Sequence, residues 1–257
     1  MPSRGEDLLV DDRDFVRRLT LNRPAKANSI TLAMSRTLIE LVAAAAADPE
    51  VRVLAITGAG SRTFCGGADL AEISSERALS LPYTPTLPTL YEALIELDKP
   101  TLAILNGSAV GGGLELALAC DFRLAAAGST IGLPEIQHGL AATFGCIMLT
   151  RTLPRPVACE MLFTGEPMAV EEAARWGLVE VVPRDRLEDR ARALGKRISA
   201  AAPLAVRKLK AIAREAATLS IAEALGLQVG PDIYSSEDRT EGLRAWREKR
   251  PPVWKGR

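Results

Sequence analysis

The chain has 257 residues, enough for one large domain or two small ones. Its 32 Lys and Arg balance 32 Asp and Glu, and it carries a single histidine, His138. A charge-neutral chain is a poor candidate for gripping a phosphate backbone, one imidazole cannot build a two-histidine HExxH zinc site, and proton chemistry falls mainly to carboxylates.

In chain order, the N-terminus MPSRGEDLLVDDRD is acidic and lacks the apolar stretch of a signal peptide. Phe15–Leu21 alternates like a strand and is closed by Asn22-Arg23-Pro24. Leu32–Ala47 repeats apolar residues at helical spacing. Val51–Thr57 is a continuous β-branched run that stops at Gly58-Ala59-Gly60, the pattern of a buried strand. A loop and a short helix follow, and residues 79–88 hold three prolines and read as surface loop. A second round begins with helix Leu90–Leu97, stopped near Lys99-Pro100. It continues with strand Thr101–Leu105, a glycine loop, helix Gly112–Cys120 and strand Phe122–Ala125. Strands alternating with helices predict an α/β fold with a largely parallel, helix-covered sheet. From Leu187 the pattern is helical only: Leu187–Ala201, Pro203–Leu219 and Ser236–Glu248. The shift divides the chain into an α/β core, 1–195, and a helical C-terminal segment, 196–257. No strict sequence repeat is visible.

Apolar residues make up 47% and aromatics only 4%, while about 40 residues are alanine, so the core should pack small side chains closely. Cys65, Cys120, Cys146 and Cys159 form no CxxC pair and read as reduced, mostly buried thiols. The uncharged stretch Ile136–Thr150 has 15 residues, short of the ~20 that span a membrane. A cytoplasmic location is expected.

Two glycine loops stand out. Cys65-Gly66-Gly67-Ala68-Asp69-Leu70 and Asn106-Gly107-Ser108-Ala109-Val110-Gly111-Gly112-Gly113-Leu114-Glu115 each follow a strand and enter a helix. Such loops are either tight turns or places where helix-terminal N–H groups meet a ligand, and two N–H groups on one oxygen make an oxyanion hole. Neither loop has the Gly-Lys-Ser/Thr of a P-loop or the GxGxxG of a dinucleotide site. Glu115 lies in the first turn of an apolar helix, where it either complements the helix dipole or faces a polar site. Glu135, after Gly132-Leu133-Pro134, is either a surface glutamate or a second carboxylate. Two carboxylates beside one oxyanion site divide naturally into a general base and a general acid.

Taken jointly, these pieces resemble the crotonase (enoyl-CoA hydratase/isomerase) family. The matching stretches are TLNRPAKANSI at 20–30, VRVLAITGAGSRTFCGGADLAEI at 51–73, KPTLAILNGSAVGGGLELALACDFRLAA at 99–126 and PEIQHGL at 134–140. Two more are LFTGEPMAVEEAARWGLVEVVP at 162–183 and EGLRAWREKRPPVWKGR at 241–257. The resemblance implies a spiral of ββα units with C-terminal helices that build a homotrimer or a dimer of trimers. It implies an acyl-CoA thioester substrate with no metal and no further cofactor. By motif, the N–H groups of Ala68 and Gly112 would hold the thioester oxygen. Ala68, Asp69, Leu70 and Ala71 would lie along the acyl-CoA, with Lys26 and Ala27 near its nucleotide and pantetheine portion. Glu115 and Glu135 fall on the family's two catalytic glutamate positions. Glu115 would activate water for the β-carbon and Glu135 would protonate the α-carbon, the pattern of a 2-enoyl-CoA hydratase. An isomerase, another acyl-CoA lyase or hydrolase, and a weakly catalytic RNA-binding or scaffold member of the fold are the alternatives.

Some residues depart from the family pattern or need their own reading. Thr143 and Phe144 replace the small residues that usually follow Glu135, and Ala71 stands where a lysine is common. Ser74–Pro88, with Tyr83 its bulky feature, would help line the acyl pocket. His138 is expected to turn to solvent or a subunit contact, and Cys65 and Cys146 to be small buried fillers. Arg207, Lys208, Lys210 and Arg214 read as a solvated helix face, and Trp176, Trp246 and Trp254 as core or subunit-contact anchors.

Overall fold

The computed structural model describes residues 7–73 and 87–257; Tyr83 and the rest of 74–86 lie outside the described residues. Strands β1 (Leu8–Arg13) and β2 (Val16–Leu21) form a hairpin turned by Asp14 and Phe15, both at positive φ. β1 is charged and mostly exposed at the sheet edge, which hides it from an apolar-pattern reading.

From residue 53 the chain repeats one unit three times. A long strand is followed by a three-residue strand and then a helical element: β3 (Val53–Gly58), β4 (Thr63–Cys65) and α2 (Leu70–Ile73), after α1 (Leu32–Ala47) has crossed over. Helix α3 (Leu87–Glu96) leads to the second unit, β5 (Thr101–Leu105), β6 (Ser108–Val110) and α4 (Gly112–Leu118). The third is β7 (Phe122–Ala126), β8 (Thr130–Gly132) and a 3-10 turn, Pro134–His138. β3, β5 and β7 pair in parallel in one sheet, and β4, β6 and β8 in another. Each unit therefore adds one strand to both sheets, the ββα spiral implied by the resemblance. The six-stranded sheet runs β1-β2-β3-β5-β7-β10 and the four-stranded one β4-β6-β8-β9, with β9 (Met168–Ala169) and β10 (Glu180–Val182).

Polar side chains lock the bends between long and short strands. Buried Asn28 donates to the carbonyls of Ala59 (3.0 Å) and Thr63 (2.8 Å) and accepts from the Arg23 N–H (3.0 Å). The Arg184 guanidinium crosses all three bends, donating to the carbonyls of Ser61 (2.6 Å), Asn106 (2.8 Å) and Ala127 (3.2 Å).

The main core packs α1 and α3, through Leu38, Leu41, Leu90 and Leu94, together with α4 and the sheets. After α5 (Thr143–Thr152), α6 (Arg155–Thr164) and α7 (Val170–Arg175), helix α8 (Leu187–Ser199) covers a second cluster. Its Leu187 and Ala191 join Ala55, Leu102, Ile104 and Leu124. Residue 195 lies inside α8. The helices α9 (Pro203–Glu215), α10 (Ile221–Leu225) and α11 (Glu237–Glu248) complete the C-terminal segment. Among the described residues no helix is long and apolar enough to cross a membrane.

The basic cluster on α9 is not a plain solvated face. Arg207 pairs with Asp98 (2.5 Å), Lys210 with Asp121 (2.8 Å), and Arg214 donates to the Glu96 carbonyl (3.2 Å), stapling α9 to the end of α3 and the loop before β7. The tryptophans are not core anchors of this chain: Trp176 and Trp246 are exposed, and Trp254 donates from its indole to the Ala200 carbonyl (2.8 Å). Cys65 and Cys120 are buried, whereas Cys146 is exposed on α5, correcting its expected role as a filler.

Candidate active site

The two glycine loops leave β4 and β6 side by side and meet backbone to backbone. Residues 67–69 run beside Ile30, whose N–H donates to the Gly67 carbonyl (2.8 Å) and whose carbonyl accepts from the Asp69 N–H (3.0 Å). That short bridge uses the neighbours of Ala68 and leaves the Ala68 N–H outside it. Gly111, at φ +57°, turns the chain into α4, and the N–H groups of Leu114 and Glu115 take its carbonyl (2.8 and 3.1 Å). The Gly112 N–H thus precedes the first internal bonds of the helix. Gly67 sits at φ +91°, and a Cβ on it would stand 3.0 Å from the Gly112 nitrogen. Glycine is required at 67 both for the backbone angle and to keep that N–H open.

Around this loop pair the sequence-predicted binding residues form a rim. Lys26, Ala27, Leu70 and Ala71 are exposed, and the Ala27 carbonyl accepts from the Gly66 N–H (2.8 Å). The Asp69 carboxylate is turned away into structure: Arg23 donates to it (2.8 Å) and it accepts from the Ala71 N–H (3.1 Å). The Arg23 guanidinium holds the Asp69 carboxyl below its ordinary range.

Both glutamates stand at the N-terminal end of α4. A Cβ on Gly111 would lie 3.0 Å from Glu135 Oε1, so the Glu135 carboxylate lies against that turn. Glu115 is only 8% exposed, and its Oε1 accepts from the Gly145 N–H at 2.8 Å. Burial raises the Glu115 carboxyl, opposed by the Gly145 N–H and the Tyr91 hydroxyl. Glu135 is also raised, first by burial and then by the negative charge of Glu115, and its Oε2 is buried with no hydrogen-bond partner among the described residues. The pair is therefore asymmetric: Glu115 is held by the Gly145 N–H and the Tyr91 hydroxyl, whereas Glu135 takes its own backbone N–H and keeps one oxygen bare. Such a difference in donors favours the ionised form of Glu115 and the protonated form of Glu135.

Phe144 leans on Tyr91, with ring centroids 4.8 Å apart, while Thr143 faces solvent at the start of α5. Gly145 is buried against Leu133 and Glu115, with no room for a side chain. His138 is exposed, its Nδ1 3.4 Å from the Pro134 carbonyl oxygen. Burial pushes the Cys65 thiol up to about 12, so it is no nucleophile. The sequence reading did not single out Gly145 or Tyr91. Tyr91 is the one aromatic residue in the helix pattern Leu90–Leu97, a signal that apolar periodicity absorbs.

A family model described as enoyl-CoA hydratase/isomerase matches residues 12–257. Carnitinyl-CoA dehydratase of Escherichia coli K12 is 38% identical over 98% of this chain and all of its own, and that of Salmonella agona is 39% identical over the same shares. Among solved structures, an enoyl-CoA hydratase from Bacillus anthracis superposes with a TM-score of 0.88 at 34% identity, covering 98% of this chain and 100% of that one.

Proposed function

The chain belongs to the enoyl-CoA hydratase/isomerase (crotonase) family, and from that premise we propose that it catalyses the reversible addition of water to a 2-enoyl-CoA thioester. The observation that carries this reading is the asymmetric carboxylate pair, Glu115 and Glu135, at the mouth of α4 beside the two glycine loops.

In the proposed reaction the thioester oxygen accepts hydrogen bonds from the N–H groups of Ala68 and Gly112. The ionised Glu115 takes a proton from water as the water oxygen bonds to the β-carbon. The π electrons move onto the thioester oxygen as an enolate, whose charge the two N–H groups stabilise. Glu135 then delivers its proton to the α-carbon as the carbonyl re-forms. The net addition is one water, and proton exchange with solvent returns the pair to its starting state. The same groups run elimination in reverse, the direction named in the carnitinyl-CoA dehydratases. The exposed rim of Lys26, Ala27, Leu70 and Ala71 supports a CoA chain lying along the loop. No metal or further cofactor is needed for these steps. A homotrimer or dimer of trimers belongs to the proposal, supported by the exposed apolar side chains of Ile221 (81%), Leu225 (83%) and Trp246 (82%).

Loss of conjugated-thioester absorbance with crotonyl-CoA and a longer enoyl-CoA tests the reading. Glu115→Gln and Glu135→Gln should each lose about 10²–10⁴-fold in rate. Inactivity of the wild type on every enoyl-CoA, or an unimpaired Glu115→Gln, overturns it. Conversion of a 3-enoyl-CoA that depends on Glu135 alone would establish an isomerase instead.

A further inference from the structure

Tyr91, on α3, joins three parts of the site. Its side chain is fully buried in α3, its ring packs on Phe144, and its hydroxyl donates to the Gly112 carbonyl at 3.0 Å. The hydroxyl also faces Glu115, whose carboxylate is held on its other side by the N–H of Gly145, the residue after Phe144. A phenol has one hydrogen and turns about its C–O bond, so it can serve either acceptor but not both fully. An ionised carboxylate attracts that hydrogen more strongly than a carbonyl does, and a protonated one does not.

We propose that Tyr91 is a positioning residue for Glu115: its hydroxyl, seated on the Gly112 carbonyl in the first turn of α4, turns its hydrogen to the Glu115 carboxylate and so aims it, and swings back to Gly112 when Glu115 takes up a proton. The role as base rests on the hydratase reading; the hydroxyl–carboxylate coupling does not. The groups that face this hydroxyl are Glu115 on α4, Glu135 on the Pro134–His138 turn and Cys65 on β4, with His138 beyond Glu135. Of these, only Glu115 also receives a backbone N–H from the Phe144–Gly145 segment on which the Tyr91 ring rests. Burial and the nearby carboxylate push the phenol well above its ordinary range, so it acts as a donor and not as an acid.

The test is the titration of Glu115 itself, read by NMR on protein carrying carboxyl-13C glutamate, with the signal assigned by its loss in Glu115→Gln. Tyr91→Phe keeps the ring and removes the donor, and should move the Glu115 titration upward by about one pH unit. The acid limb of the kcat profile should move with it, while KM for crotonyl-CoA stays near wild type. Phe144→Leu removes the ring contact and keeps the hydroxyl, and should leave the titration in place. In Glu115→Gln, adding Tyr91→Phe should cause no further loss of rate. An unmoved Glu115 titration in Tyr91→Phe overturns the proposal, as does a Phe144→Leu shift of equal size, which would make packing the cause. If the wild type hydrates no enoyl-CoA, the NMR titration still reports the coupling, so the two ideas fail separately.

Discussion

Gly67→Ala is the sharpest single test of how the loops meet. The backbone at 67 has φ +91°, which an L side chain adopts at a cost of about 1–2 kcal/mol. The new Cβ would also stand 3.0 Å from the Gly112 nitrogen and 3.1 Å from the Val110 carbonyl oxygen, with the end of β8 behind them through the Gly111 N–H to Gly132 carbonyl bond (2.9 Å). Crowding of this kind costs about 1–3 kcal/mol, so the variant should fold with a lower melting temperature. Its catalytic loss should be far larger. A methyl group against the Gly112 N–H removes one of two oxyanion donors, which is worth about 10²–10³ in kcat. Gly66→Ala is the matched control: its Cβ would meet Ala27 at 3.3 Å, without a positive φ, and points away from Gly112. It should keep kcat near wild type and act, if at all, on KM for the CoA substrate. The assay is steady-state hydration of crotonyl-CoA, with circular dichroism melts on the same samples. A folded Gly67→Ala that hydrates at the wild-type rate would falsify the assignment of Gly112 as an oxyanion donor.

Glu135→Gln should show a stability gain alongside its loss of activity. Burial and the Glu115 charge raise the Glu135 carboxyl above its ordinary value, so the folded chain binds that proton more tightly than the unfolded chain. Stability is then lost as pH rises from the unfolded value towards the folded one, and the penalty is complete above both. The variant should melt higher than wild type at about pH 8, with the gap closing near pH ~4; equal melting temperatures at both pH values would contradict the electrostatic account. Arg184→Ala should lower stability by about 1–3 kcal/mol, because it removes one guanidinium from the carbonyls of three successive bends. Arg184→Lys should recover only part, since an ammonium cannot fork, and a thermal melt identical to wild type in Arg184→Ala would show the clamp to be idle.

The parts of the fold that were legible are those where one local pattern decides. β3 and β5 are apolar runs buried on both faces, and α1 has a clear period and a Thr31 cap that accepts from the Met34 N–H. The three-residue strands β4, β6 and β8 are too short to show any period, and with them the threefold repeat stayed invisible. Arg207 and Lys210 were misread because their partners, Asp98 and Asp121, lie 109 and 89 residues away in the chain. The glycine loops and the two glutamates were each visible as ambiguous features. What local chemistry could not supply was their meeting, which depends on strands pairing across the spiral. Tyr91 was missed for the opposite reason: its ring fits the helix pattern so well that its hydroxyl went unasked about.

The spiral also sets which changes of chain length the protein can absorb. Residues 66–69, Gly111–Gly112 and Glu135 follow β4, β6 and β8, the same point in three successive units. The reactive groups thus form a seam running across the coils, one stitch per coil. Extra residues between one coil's helix and the next coil's long strand lengthen the thread without moving a stitch. A residue added between a short strand and its stitch shifts one stitch out of line with the other two. Natural relatives should therefore differ in length at the joins between coils, and a set of relatives with gaps scattered evenly through the stitches would speak against the seam.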